Sequence, residues 1–355
     1  MSSSPRIAIL YSELADYSLA CFRALSNQDA EVLLVHWSLN PEAPFQFDLS
    51  FVRHLYSRDT LNNESLLKVV SDFDPHLILS SGWLDKGYLR VCRKFQKKIP
   101  TVLSMDNHWV GSFKQLMARL VSPFTIRRAY SHAFVPGAIQ KEYALKLGFP
   151  NEAIMLGFYS ADVEKFNGIY EAIKEVKEDR LPHRFLYLGR YVEHKGIYDL
   201  WNAFNEVRKD HPNWELWCVG TGAEYENRVK GDGIRHFGFV QPNDLEPILK
   251  KTSVYILPSH FEPWGVSVQE MAISGFPLIL SDEIGSREAF LRTGENGEVF
   301  KAGSVEQLIH SMRLMAAKSD DKLLKMCQNS HNLGNSNSPD IWASSLYSII
   351  NLNNL

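Results

Sequence analysis

Short apolar runs recur along this chain with helix-length stretches between them. In the first half they fall at 6–10, 31–36, 76–80, 101–104, 132–135 and 153–157. In the second they fall at 184–188, 215–219, 235–239, 254–257, 278–281 and 298–300. Apolar runs of this length, alternating with helical segments, predict parallel strands covered on both faces. Two such sets predict an α/β protein of two doubly wound, Rossmann-like domains that take ligands at the carboxyl ends of their strands. The stretch SADVEKFNGIYEAIKEVKEDRLP at 160–182 is charged and has no strand pattern, so the division is placed there. Its charged middle is expected to be an exposed helix or loop. The resulting domains are 1–165 and 166–335, followed by a terminal helix over 336–355. In that last segment Ser338 can cap, Pro339 suits the first helical position, and Trp342, Leu346, Ile349 and Ile350 share one stripe.

Bulk composition narrows the class. With 45% hydrophobic and 22% charged residues the chain is typical of a soluble globular protein. No apolar run approaches the roughly 20 residues of a membrane span. The amino terminus MSSSPRIAIL passes straight into a strand, without a leader-like apolar region. Cys21, Cys92, Cys218 and Cys327 are scattered and suit isolated thiols in a reducing compartment. A cytoplasmic protein is expected, with no nucleic-acid partner. The net charge of -3 conceals an asymmetry, because between Lys86 and Lys146 twelve Lys or Arg face only Asp106 and Glu142. Two readings fit that excess: solvated helix faces, or an anionic partner such as the inner face of a membrane or a phosphorylated acceptor.

The most informative chemistry lies at 258–288, PSHFEPWGVSVQEMAISGFPLILSDEIGSRE. Glu262 sits in a polar turn after an apolar run. Glu270 sits two turns into a helix predicted to begin near Gly265. Eight residues at about 100° each return to within roughly 80°, which lets both carboxylates face one side of the helix entrance. A helix amino terminus suits a phosphate, and carboxylates accept hydrogen bonds from hydroxyls. Together they fit a sugar nucleotide. Upstream, RFLYLGRYVEHKG places Arg190 at a strand end and Lys195 at a helix start, two cations able to neutralise a departing diphosphate. An isolated pair of glutamates would more simply be solvated acids.

The run E-P-W-G followed by Glu270, then A-I-S-G-F-P and S-D in register, resembles the donor-site signature of retaining GT-B glycosyltransferases, family 4, the glycosyl transferases group 1. G-R-(x)4-K-G at 189–196 is similar to that family's phosphate-binding pair. The resemblance is strong over about 185–300 and architectural elsewhere. It implies a GT-B fold, with two Rossmann-like domains facing across a cleft and the terminal helix crossing back to the first. It implies transfer of a sugar from a nucleoside-diphosphate sugar, with retention, to a glycan or lipid-linked acceptor, as in bacterial surface polysaccharide synthesis. Arg190 and Lys195 would stabilise the leaving group, Glu270 would hold ribose hydroxyls, and Glu262 the transferred sugar. Backbone N–H groups around Gly265, Val266 and Ser267 would face the sugar and phosphate. Gly189 and the turn at Gly220 would lie beside the donor, with Phe239 and Val240 at the base. From the residues alone, Phe239 and Val240 equally fit core positions at a strand end, and Gly220-Thr221-Gly222 simply marks a tight strand-to-helix turn.

No cofactor and no metal are expected. Asp72-Phe73-Asp74 has the form of a metal-binding pair but precedes a strand, so it is assigned to a helix-terminal turn. In the first half the glycine-rich loop common in the family is missing after the first strand. Tyr11, Ser12, Glu13 and Tyr17 stand there instead, where an acceptor can be held. After the fourth strand SMDNHWVGS offers Asp106 and His108 near the reacting carbon, Asp106 being preferred, although Asp106-Asn107 also suits a capping turn. The segment SFKQLMARLVSPFTIRRAY is basic and partly amphipathic, and is either a core helix broken at Pro123 or a surface meeting anionic lipid. Competing functions are a nucleotide-sugar epimerase or phosphorylase on the same fold, or a non-catalytic, membrane-associated subunit that binds sugar nucleotides.

Overall fold

The computed structural model describes residues 4–38 and 47–353. The chain divides into two units, one of residues 1–160 with 337–355 and one of residues 161–336. The first unit holds β1 (Arg6–Tyr11), β2 (Glu31–His36), β3 (His54–Ser57), β4 (Leu77–Ser81), β5 (Thr101–Ser104), β6 (His132–Val135) and β7 (Ile154–Leu156). They form one sheet in the order β3-β2-β1-β4-β5-β6-β7. The second unit holds β8 (Arg184–Leu188), β9 (Glu215–Val219), β10 (Ile234–His236), β11 (Val254–Leu257), β12 (Leu278–Ser281) and β13 (Gly297–Phe300). Their order is β10-β9-β8-β11-β12-β13. Every pairing in both sheets is parallel.

Each sheet reverses its direction of growth once, between β1 and β4 and between β8 and β11. At such a switch point the loops leaving the two central strands diverge and open a crevice at their carboxyl ends. That places the loops after β8 and β11, which carry Arg190, Lys195 and Glu262, at the carboxyl edge of the second sheet.

Alternation along β1 feeds two cores. Ile7 and Ile9 point to the side of the helix Asp16–Asn27, and Ala8 and Leu10 to the opposite layer. The terminal helix Pro339–Asn353 packs its apolar stripe on the first unit. Trp342 lies 5.9 Å from the Phe22 ring and 5.8 Å from Phe134, and Leu346, Ile349 and Ile350 are buried beside it. The Tyr347 hydroxyl donates to the carbonyls of Leu25 and Gln28 at 3.2 and 2.9 Å.

Three expectations are corrected. β3 was not anticipated: HLYS lies at the sheet edge, is only partly buried, and so shows no apolar run. The charged 160–182 stretch is not an exposed connector. Its helix Val163–Asp179 buries Phe166, Ile169, Ile173 and Lys177 on one face. Gly220-Thr221-Gly222 does not lead into a helix; successive turns follow it. Asp74 does cap the helix Asn63–Phe73 in a left-handed conformation, with its carboxylate 2.6 Å from Arg6. All four cysteines are buried and none forms a disulfide among the described residues.

Candidate functional site

Two close backbone approaches shape the carboxyl edge of the second sheet. Gly220 donates its N–H to Gly238 at 2.7 Å and has φ +133°, and a Cβ there would stand 1.9 Å from the Gly189 carbonyl oxygen. Only glycine lets the β8 and β9 ends meet so closely. The same holds at Gly196, with φ +68°, where a Cβ would lie 2.1 Å from the Pro258 carbonyl oxygen. This contact presses the start of the helix Ile197–Asp210 against the end of β11. His260 reinforces it by donating its N–H to the His194 carbonyl at 2.8 Å. Its imidazole Nε2 lies 2.7 Å from the Asp199 carboxylate.

The approach brings Lys195 to Glu262, 67 residues along the chain. The Lys195 ammonium donates to Glu262 Oε2, and both side chains are largely buried. Arg190 belongs to the same cluster. Burial lowers the pKa of His194, and the positive charges of Lys195 and Arg190 lower it further while Glu262 opposes them. The Tyr187 hydroxyl donates to the Arg190 carbonyl at 2.7 Å and fixes the turn that carries the guanidinium.

Glu262 is not helical, which corrects the angular reasoning from sequence. It forms a parallel bridge with Ile284 and lies before the helix Val266–Ile273, which Gly265 precedes. Its N–H donates to the Glu283 carbonyl at 3.1 Å, and its own carbonyl accepts from Gly285 at 3.0 Å. The tertiary fold nonetheless brings the two acids to one place. Burial, countered by the hydrogen bond to Ser267, raises the pKa of Tyr255, and the charges of Glu262 and Glu270 raise it further. The Tyr255 phenol lies 2.9 Å from Ser267 Oγ and so joins β11 to the first turn of the glutamate helix.

The rest of the motif is scaffold. Ser281 Oγ donates to the Ser259 carbonyl at 2.5 Å, and the Asp282 carboxylate accepts from the Ala302 N–H at 2.8 Å. Ser286 Oγ donates to the Gly265 carbonyl at 3.1 Å. Gly189 stands where the β8 and β9 loops touch. Phe239 and Val240 lie beyond β10 and are half-buried, so they are neither strand nor core residues.

Asp106 and His108 follow β5 in the first unit. The Asp106 carboxylate accepts from the Tyr159 hydroxyl at 3.1 Å, and the His108 carbonyl accepts from Gln115 Nε2 at 2.7 Å. Tyr159 meets Tyr17 edge-on at 5.4 Å. Tyr11 is not available to an acceptor, because its ring is buried against Phe22.

Sequence reasoning missed Tyr187, Tyr255, His260, Asp199 and Gln269. Gln269 is fully buried beside Glu270, accepts from the Ala161 N–H at 2.8 Å and donates to the Gly334 carbonyl at 3.0 Å. It therefore ties the glutamate helix to both segments by which the chain enters and leaves the second unit. Standing between Ser267 and Glu270 on the same helix, it gave no separate signal in the sequence. Among the described residues no group of three or more His, Cys, Asp or Glu is arranged to hold a metal ion.

Residues 169–332 match the family described as Glycosyl transferases group 1. Glycogen synthase of Mycobacterium tuberculosis is 32% identical over 124 residues, covering 33% of this chain and 30% of that protein. The capsular polysaccharide biosynthesis glycosyltransferase CapM of Staphylococcus aureus is 24% identical over 276 residues, covering 69% of each. The chain spans less than a third of the length of the relatives it matches at 32% identity. Among solved structures, HepE of Anabaena in complex with UDP and glucose superposes with a TM-score of 0.72 at 14% identity, over 98% of this chain and 100% of that one. Sucrose-phosphate synthase of Thermosynechococcus elongatus gives 0.71 at 16% identity, over 99% of this chain and 100% of that one.

Proposed function

We propose, from the GT-B fold and the match of residues 169–332 to the glycosyl transferases group 1 family, a retaining glycosyltransferase that moves a sugar from a nucleoside-diphosphate sugar to a glycan or lipid-linked acceptor. The observation that carries this reading is the joining of Lys195 to Glu262, with Arg190 and Glu270 close by, at the switch point of the second sheet.

Lys195 and Glu262 compensate each other's charge in a partly buried setting, where an unpaired ion would be costly. An arriving diphosphate competes for the ammonium. Lys195 then joins Arg190 at the phosphates, and Glu262 is released to accept hydrogen bonds from sugar hydroxyls. Glu270 holds the ribose. The N–H groups of Gly265, Val266 and Ser267 face the phosphate and sugar, Gly189 and Gly220 line the floor, and Phe239 and Val240 flank the base. Asp106 or His108 serves the acceptor side from the first unit.

As the bond from the anomeric carbon to the phosphate oxygen breaks, Arg190 and Lys195 stabilise the charge that develops there. The acceptor oxygen bonds to the same face of that carbon and its proton passes to the leaving phosphate, which preserves configuration. Because the protein supplies these cations, transfer needs no divalent metal. HepE has been crystallised with UDP-glucose, which makes uridine nucleotides the first donors to try. The similarity to CapM, a capsular polysaccharide biosynthesis glycosyltransferase, supports an acceptor in surface polysaccharide synthesis.

Calorimetry with UDP, GDP, ADP, dTDP and CMP, followed by anomeric analysis of the product from the matching sugar nucleotide, tests the proposal. Binding of one diphosphate and a product of retained configuration are expected. Sugar released only to water or phosphate, or inverted product, would overturn it.

A further inference from the structure

The helix Phe113–Val121 turns its apolar side away from the protein. Phe113, Leu116, Met117 and Leu120 recur at helical spacing, and Phe113 is 77% exposed and Leu120 67%. Phe124, just beyond, is 67% exposed, and Val110 and Val121 widen the patch. No residue of this helix is buried. Its inward side is held by Gln115, which bonds the His108 carbonyl and the Val110 N–H at 2.7 and 2.9 Å, and by Ala118, which packs on the core. An amphipathic helix ordinarily buries such a stripe, and a contiguous exposed one marks a surface that docks on something.

The surrounding charge decides what covers it. Lys114 and Arg119 are exposed and lie about 100° to one side and about 120° to the other side of Phe113 around the helix. Arg128 stands over the Phe124 ring at 5.8 Å. From Asn107 to Lys141 the chain has no Asp or Glu. A second copy of the chain meeting this face symmetrically would set cations against cations. An anionic bilayer satisfies both features, taking the apolar stripe at the acyl boundary and the cations at its phosphates. Nine residues extend about 13 Å, too short to cross, so the helix lies in the plane. Indeed no helix among the described residues is long and apolar enough to span a membrane.

We propose that the 113–121 helix inserts Phe113, Leu116, Met117 and Leu120, with Phe124, into the headgroup region of an anionic membrane while Lys114, Arg119 and Arg128 engage lipid phosphates. The inference rests on the reading of the first unit as the side that receives a lipid-linked acceptor, and is separate from the donor-site assignment. Arg127 takes no part. Its guanidinium donates to the Tyr130 and Ser131 carbonyls at 2.9 and 3.2 Å and stacks 4.3 Å over Phe149.

Flotation with vesicles of phosphatidylcholine, with and without phosphatidylglycerol, tests the proposal on the full chain. The wild type floats with the anionic vesicles and detaches as salt rises. The double variant Phe113→Ser/Leu120→Ser lowers partitioning at least about tenfold, since it removes two large apolar groups from the lipid contact. Lys114→Glu/Arg119→Glu lowers it as well and abolishes the preference for anionic lipid. All four positions are exposed, so circular dichroism melts should match the wild type. No anionic preference in the wild type at low salt would overturn the proposal, as would normal flotation of the apolar variant. A dimer in sedimentation equilibrium that Phe113→Ser/Leu120→Ser dissolves, without vesicle binding, would assign the face to a second copy instead. Calorimetry with UDP, GDP, ADP, dTDP and CMP on the same preparations separates the two readings: failure to bind any of them strikes the donor site only, and failure to float strikes the helix only.

Discussion

Replacing Lys177 by methionine should stabilise the second unit, and the gain should disappear as pH rises. Lys177 ends the buried face of the 163–179 helix and is only 3% exposed. Its ammonium has no hydrogen-bond partner and sits 3.6 Å from the centroid of the Phe276 ring. Burial lowers its pKa from 10.5 to about 8, only partly opposed by the Cys327 thiol. A depressed pKa on a base means that the charged form weakens the folded state. Between pH 8 and 10.5 the unfolded chain binds more protons at this site than the folded one, so stability increases with pH across that window. Below the window the full penalty applies, about 3 kcal/mol from the size of the shift. The ring contact returns roughly 2 kcal/mol to a desolvated cation. Methionine keeps the length and loses both terms, so a net gain of about 1–2 kcal/mol at pH 7 is expected. At about 2–4 °C per kcal/mol for a unit of this size, the melting temperature rises measurably. Thermal melts of both proteins at pH 7 and pH 10 check this, the other lysines cancelling in the comparison. An equal difference at the two pH values, or a loss of stability at pH 7, would refute the reasoning.

Arg190→Ala and Lys195→Ala should each slow sugar transfer on the order of 10²-fold or more in product assays, with circular dichroism unchanged, because each removes charge stabilisation at the leaving group. Near-normal turnover in both would remove the phosphate site. Glu270→Ala should chiefly weaken calorimetric binding of the nucleoside diphosphate, while Glu262→Ala should depress transfer more than affinity; the reverse pattern would exchange the two roles. Transfer should survive excess EDTA, and complete loss restored by manganese or magnesium would show that a metal supplies the charge assigned to Arg190 and Lys195.

Much of the fold was legible because parallel strands buried on both faces must be apolar almost throughout. β2, β5, β6, β8, β9, β11 and β12 begin and end where the apolar runs do. The edge strand β3 escaped because a partly solvated strand needs no such run. The terminal helix announced itself and its one apolar face through a cap, a proline and a stripe, but not where that face would pack. Glycines at tight approaches were legible for a similar reason: the residue type is itself the constraint. What the sequence could not hold was which residues meet. Lys195 reaches Glu262 only because a switch point sets the β8 and β11 loops side by side and Gly196 lets them touch. The 113–121 helix reads in the sequence as partly amphipathic, and the 163–179 helix, read there only as charged, carries an apolar stripe as well. Only the tertiary structure turns the first stripe outward and the second inward with a lysine upon it, because the direction a helix faces is fixed by its neighbours and not by its own pattern.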